Sequence, residues 1–149
     1  MMRRSFIKIA GVGTLAVLAA GLGGLTFAAG NEPVKVVYHM VDGIDQAMRG
    51  MGNLRNHLRE APETKIVVVA HGEGINFLLE GAQDRNGKPF DAAVAALASQ
   101  GVEFRVCSNT LVARGIPASK LVLEAKVVPA GVVEVARLQA REGYVYLRP

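Results

Sequence analysis

The sequence predicts an α/β fold, a three-layer sandwich in which a mostly parallel sheet carries helices on both faces. Three observations predict it. Strand and helix patterns alternate along the chain. Residues 65–70 form a near-continuous apolar run of the kind buried on both faces of a parallel sheet. Setting aside the first 28 residues leaves 121, enough for one domain to bury its own core and too few for two.

Residues 1–28 are set aside because they have the layout of a signal peptide. Met1-Met2-Arg3-Arg4-Ser5-Phe6-Ile7-Lys8 precedes an apolar run of many glycines and alanines over residues 9–27. Arg3-Arg4, a spacer, Phe6, Ile7 and Lys8 resemble the twin-arginine export pattern. Thr26 and Ala28 suit a cleavage after Ala28, with Gly30 as an alternative end. The competing reading is an uncleaved anchor, since the run is about long enough to span a bilayer, although glycines and threonines dilute it. The expected organisation is a twin-arginine-type signal segment over 1–28 and a folded domain over 29–149. The expected location is the periplasm or another exported compartment, with no stable membrane insertion once the leader is cleaved.

The leader holds three of the 17 Lys and Arg residues and none of the 13 Asp and Glu, so the rest of the chain carries 14 against 13, a formal charge of +1. Without a basic excess, without tryptophan and with few aromatics, nucleic acid is excluded as an expected partner. Cys107 is the only cysteine, which rules out an internal disulfide despite an oxidising destination. An unpaired cysteine there is either a small buried apolar residue or a working thiol.

Residues 34–41 read as the first strand. Asp42 offers a helix cap, and Ile44, Ala47, Met48, Met51, Leu54 and Leu58 then recur at helical spacing until Ala61-Pro62. His57 falls opposite that stripe and is expected to be exposed. Residues 65–70 form the second strand, ending at His71-Gly72. A short helical stretch is expected over 76–81, a loop over 83–88 from its Asp-Arg-Asn-Gly-Lys composition, and a helix from about Pro89 to Gly101. The third strand covers 102–107. Two short helical turns follow over 108–121, then a short strand at Val127-Val128, a helix over 131–141, and a last strand over 144–147.

In open parallel sheets the ligand site lies beyond the carboxyl ends of the strands, near the switch in strand order. His39, His71 and Cys107 all fall at such ends, and they converge if the first strand lies between the second and third. Ser108, Asn109 and Thr110 open a helix whose unpaired amides would favour a thiolate on Cys107, with a nearby histidine tuning it. Gly72 and Gly74, in His71-Gly72-Glu73-Gly74, are candidate ligand-binding glycines, although a tight turn is an equally simple use of them. Sharper motifs are absent. Cys107 and Arg114 have six residues between them where a phosphatase loop has five, and there is no dinucleotide fingerprint, no Walker lysine and no nucleophile elbow.

The chain resembles the DsrE/DsrF-like family, in particular its small exported branch. The resemblance is carried by Val36-Val37-Tyr38-His39, Val67-Val68-Val69-Ala70-His71-Gly72, Cys107-Ser108-Asn109-Thr110-Leu111, Val128-Pro129-Ala130-Gly131-Val132 with Arg137-Leu138-Gln139, and Gly143-Tyr144-Val145-Tyr146. It implies a Rossmann-like domain assembled as a trimer or hexamer, and a cysteine that carries sulfane sulfur as a persulfide between protein partners. Cys107 is then the sulfur acceptor, with no cofactor required. Whether such a carrier also works as a sulfurtransferase-like enzyme is open. The alternative is a non-enzymatic oligomeric binding protein, in which His39, His71 and Cys107 hold a soft or borderline metal such as copper or zinc, or a small ligand.

Overall fold

The computed structural model describes residues 32–149, and the expected leader and its cleavage point lie outside them. The five strands are β1 (Lys35–Met40), β2 (Lys65–Ala70), β3 (Glu103–Cys107), β4 (Ala125–Val128) and β5 (Val145–Leu147). They form one sheet in the order β4-β3-β2-β1-β5, and every neighbouring pair is parallel. The helices are α1 (Gly43–Glu60), α2 (Asp91–Ser99), α3 (Ser108–Ala113) and α4 (Gly131–Glu142), joined by 3-10 helices at Gly72–Leu78 and Ala118–Lys120.

The apolar run of β2 suits its central place. Ile66, Val68 and Ala70 pack into the larger core with Met51, Leu54, Phe77, Val94 and Phe104. Val67 and Val69 point the other way, to Val37, Val135 and Leu138. After the exposed Lys65 that opens it, alternating side chains on a strand buried on both faces leave no position for a polar residue. In α1 the stripe Ala47, Met51, Leu54 and Leu58 is buried, and burying a leucine as fully as Leu54 contributes on the order of 1.5–3 kcal/mol.

The two layers of helix are unequal, for a topological reason. Connections β1 to β2, β2 to β3 and β3 to β4 all step in one direction, and right-handed crossovers place their helices on one face. The chain then crosses from one sheet edge to the other to form β5, which puts α4 alone on the opposite face. That reversal makes β1, between β2 and β5, the switch in strand order. The arrangement with the first strand between the second and third, on which the convergence of the strand ends was conditional, is not the one formed: β2 lies between β1 and β3.

Three local expectations are corrected. Asp42 stands at the start of α1 but makes no capping bond; its carboxylate pairs with Arg148 at 2.7 Å instead. His57 is half-buried, with Nδ1 3.0 Å from the Tyr38 hydroxyl, because α1 leans that edge of its stripe onto β1. The short helix after β2 begins at Gly72, not Asn76. Among the described residues no helix is long and apolar enough to cross a membrane.

Candidate functional site

Strand parity puts the site on the α4 side of the sheet. His39 follows Val37 by two residues, His71 follows Val69 by two, and Cys107 follows Arg105, whose guanidinium bonds Glu134 of α4. The three sequence candidates therefore lie along one carboxyl edge even though β2, not β1, is the middle strand. The first residue of α4, Gly131, stands against two of them. A Cβ built there would lie 3.2 Å from the Cβ atoms of both Cys107 and His71, so only glycine leaves that space free.

Cys107 is 6% exposed. Burial pushes its thiol up, but the amides of Gly131, Thr110 and Asn109 and the Thr110 hydroxyl favour the thiolate, and together they hold it below its ordinary value. Asn109 and Thr110 at the start of α3 and Gly131 at the start of α4 are the residues whose amides favour the anion. Ser108 instead borders an apolar groove with Leu111, Val112, Ile116, Pro117 and Val127. Thr110 is also tied back to β2, since its Oγ1 accepts the Gly72 N–H at 3.0 Å. Arg114 secures the same turn by donating to Gly72 O at 3.1 Å and Asn76 Oδ1 at 2.8 Å.

The glycine turn serves packing. Gly72 has φ +56°, and a Cβ on Gly74 would meet Met40 O at 2.1 Å. Gly74 therefore lets the loop close on the end of β1, and the Gly72 N–H and C=O are both spent within the protein.

At the β1 side, His39 Nε2 lies 2.7 Å from His71 Nε2, and His39 Nδ1 lies 2.8 Å from the Tyr146 hydroxyl. Burial lowers His39, reinforced by His71 and Arg148 and opposed by Asp42, and burial lowers His71 too. Among the described residues no three His, Cys, Asp or Glu side chains are gathered as a metal site. His39 and His71 turn their Nε2 atoms on each other, and the bond between them uses a lone pair that a metal would need.

Sequence reasoning missed Gly131, Tyr146 and Gln46 as parts of this region. Gln46 is fully buried; its Oε1 accepts the Val41 and Asp42 N–H groups at 2.6 and 2.8 Å, and its Nε2 donates to His39 O at 3.1 Å. It fixes the carboxyl end of β1, yet in the sequence it is one polar residue beside an apolar stripe.

Fold and site together define an α/β domain that keeps one buried thiol in a nest of main-chain amides at the carboxyl edge of a parallel sheet. The family model described as DsrE/DsrF-like matches residues 18–149. The chain belongs to the DsrE/DsrF-like family, which is known for sulfur-relay roles. Among solved structures it is similar to MTH1491 of Methanobacterium thermoautotrophicum, a protein of unknown function, with 33% identity and a TM-score of 0.69 over 78% of this chain and 99% of that one. The fold also matches the ychN protein of E. coli, with 14% identity and a TM-score of 0.63 over 79% of this chain and 99% of that one. No curated protein matches the chain.

Proposed function

We propose that this protein is an exported sulfur carrier that holds sulfane sulfur as a persulfide on Cys107. The observation that carries the reading is the place of the buried Cys107, between the end of β3 and the start of α3 and against Gly131 at the start of α4, where the nearby amides lower its pKa despite burial. Burial without such donors would keep a thiol neutral and inert, whereas aimed N–H groups favour the anion, and the thiolate is the nucleophile. In loading, the Cys107 thiolate attacks the sulfane sulfur of a persulfide R–S–SH. A sulfur–sulfur bond forms to Cys107, the bond from R–S breaks, and R–S⁻ leaves with the electron pair. Attack by an acceptor thiolate on the outer sulfur reverses the step.

The reading includes a homo-oligomer, a trimer or hexamer. Val132 and Val133 on α4 are 60% and 63% exposed, and Val145, Tyr146 and Leu147 on the edge strand β5 are also exposed. They lie where one helix covers a five-stranded sheet, an apolar surface that suits a second copy. The reading also includes a donor or acceptor protein that delivers or receives the sulfur.

The test is the intact mass of protein isolated from its native compartment, with and without reductant. A reductant-sensitive gain of one sulfur atom, absent in Cys107→Ser, is expected. A thiol that resists alkylation until denaturation and never takes sulfur from polysulfide, or a retained copper or zinc ion, would overturn the reading. Light scattering that finds a strict monomer at micromolar concentration would overturn the oligomer.

A further inference from the structure

A line of three side chains runs from the surface of β5 to the edge of the sulfur site. Val37 pairs with Tyr146 in the β1–β5 register, which puts Tyr146 and His39 on the same face. The Tyr146 hydroxyl meets His39 Nδ1 at 2.8 Å, and His39 Nε2 meets His71 Nε2 at 2.7 Å. Among the described residues His71 Nδ1 has no hydrogen-bond partner. A bond between two Nε2 atoms holds one proton, so the roles along the line are linked. If the Tyr146 hydroxyl donates to His39 Nδ1, His39 donates from Nε2 and His71 carries its proton on Nδ1. With each histidine in its other neutral tautomer, His71 donates from Nε2, His39 donates from Nδ1 to the Tyr146 hydroxyl oxygen, and His71 Nδ1 is an acceptor.

We infer that His71, with His39 and Tyr146 behind it as positioning residues, transfers the proton that accompanies sulfur transfer at Cys107. This rests on the carrier reading above. In R–S–SH the transferred sulfur arrives with a proton, while the departing R–S⁻ needs one. His71 takes the proton from the sulfur newly bonded to Cys107 and returns it to R–S⁻. The products are Cys107–S–S⁻ and R–SH, with no external oxidant or reductant.

Three observations support the assignment. His71 and Cys107 flank the same glycine, each with its Cβ 3.2 Å from the Gly131 Cβ position. Burial leaves both imidazoles neutral at neutral pH, so each is able to accept as well as donate. The groups that face His39 are His71, Tyr146, Arg148 and Asp42. Arg148 and Asp42 pair with each other at 2.7 Å, which leaves the tyrosine and the second histidine as its proton partners.

The experiment measures two rates on the full chain, loading of Cys107 from a small-molecule persulfide and its alkylation by iodoacetamide, for wild type, Tyr146→Phe and His39→Gln across pH 5–9. Alkylation needs the thiolate but no proton for a leaving thiolate. Loading in His39→Gln is expected to fall on the order of a hundredfold, the low end for general acid–base catalysis. Tyr146→Phe should fall less, and both should shift the histidine limb of the pH profile, since His71 stays but loses its partners, while alkylation stays at the wild-type rate. Variants that load at the wild-type rate with an unchanged profile would overturn the proton role and leave the carrier intact. Loading and alkylation falling in parallel would overturn it as well, since the variants would then be acting on the thiol itself. A wild-type protein that never loads sulfur would bring down both readings.

Discussion

The two ends of the site are built from different material. At the β3 end, Cys107 is buried and its partners are main-chain amides and one hydroxyl. At the β1 end, His39 and His71 are half-buried and bond to each other and to Tyr146 through side chains alone. Main-chain donors are fixed by the starts of helices and need no reorganisation when charge appears. A side-chain line can exchange protons, because imidazole and phenol each donate and accept. The β3 end is thus suited to holding an anion and the β1 end to moving a proton.

The largest test of that division is Cys107→Ser, which should abolish sulfur loading completely as read by intact mass, while the melting temperature stays near wild type. Next is Thr110→Val, which removes the hydroxyl donor but keeps the Thr110 amide. A hydrogen bond to a charged group contributes about 1.5–3 kcal/mol, so the thiol should titrate at least about one unit higher. The pH dependence of alkylation would show this, and an unchanged midpoint would break the claim that side-chain and amide donors act together. Gly131→Ala is expected to act in the same direction by pushing the start of α4 away from the Cys107 and His71 Cβ atoms.

At the β1 end the prediction concerns acid. Burial holds His39 and His71 below the ordinary histidine value of 6.5. Between the folded and unfolded values the unfolded chain binds more protons, so stability is full above about pH 6.5 and is lost as pH falls through the folded values. Melting curves from pH 7.5 to pH 5 should therefore drop more steeply for wild type than for His39→Gln. Equal slopes would mean the pair is not desolvated. The smallest effect is expected outside the site: Tyr38→Phe, which frees His57 Nδ1, should cost about 0.5–1.5 kcal/mol in denaturant unfolding and leave thiol reactivity unchanged.

The comparison also marks how far the sequence could be read. The β-branched runs at Val36-Val37 and Val67-Val68-Val69 and the stripe through Ala47, Met51, Leu54 and Leu58 are periodic signals. They were legible because burial on a strand or helix face constrains residue type at regular intervals. Cys107, His39 and His71 were legible for a related reason: each ends a strand, and strand ends are where parallel sheets place ligands. Asn109 and Thr110 followed from the helix start after Cys107.

Strand order had no such signal. Which strand lies in the middle depends on the direction of each crossover, and a right-handed connection reads the same locally whichever way the chain steps. The same decision put α4 on the opposite face and brought Gly131 against Cys107, three elements and 24 residues away. It also set β5 beside β1, which makes Tyr146 a partner of His39 across 107 positions. The sequence by itself determined the elements, the α/β class and the candidate chemistry at the strand ends, because each depends on periodicity or on neighbours in the chain. The tertiary structure alone decided which amides meet the sulfur and which rings share a proton, because those contacts are made between residues that only the packing of distant elements brings together.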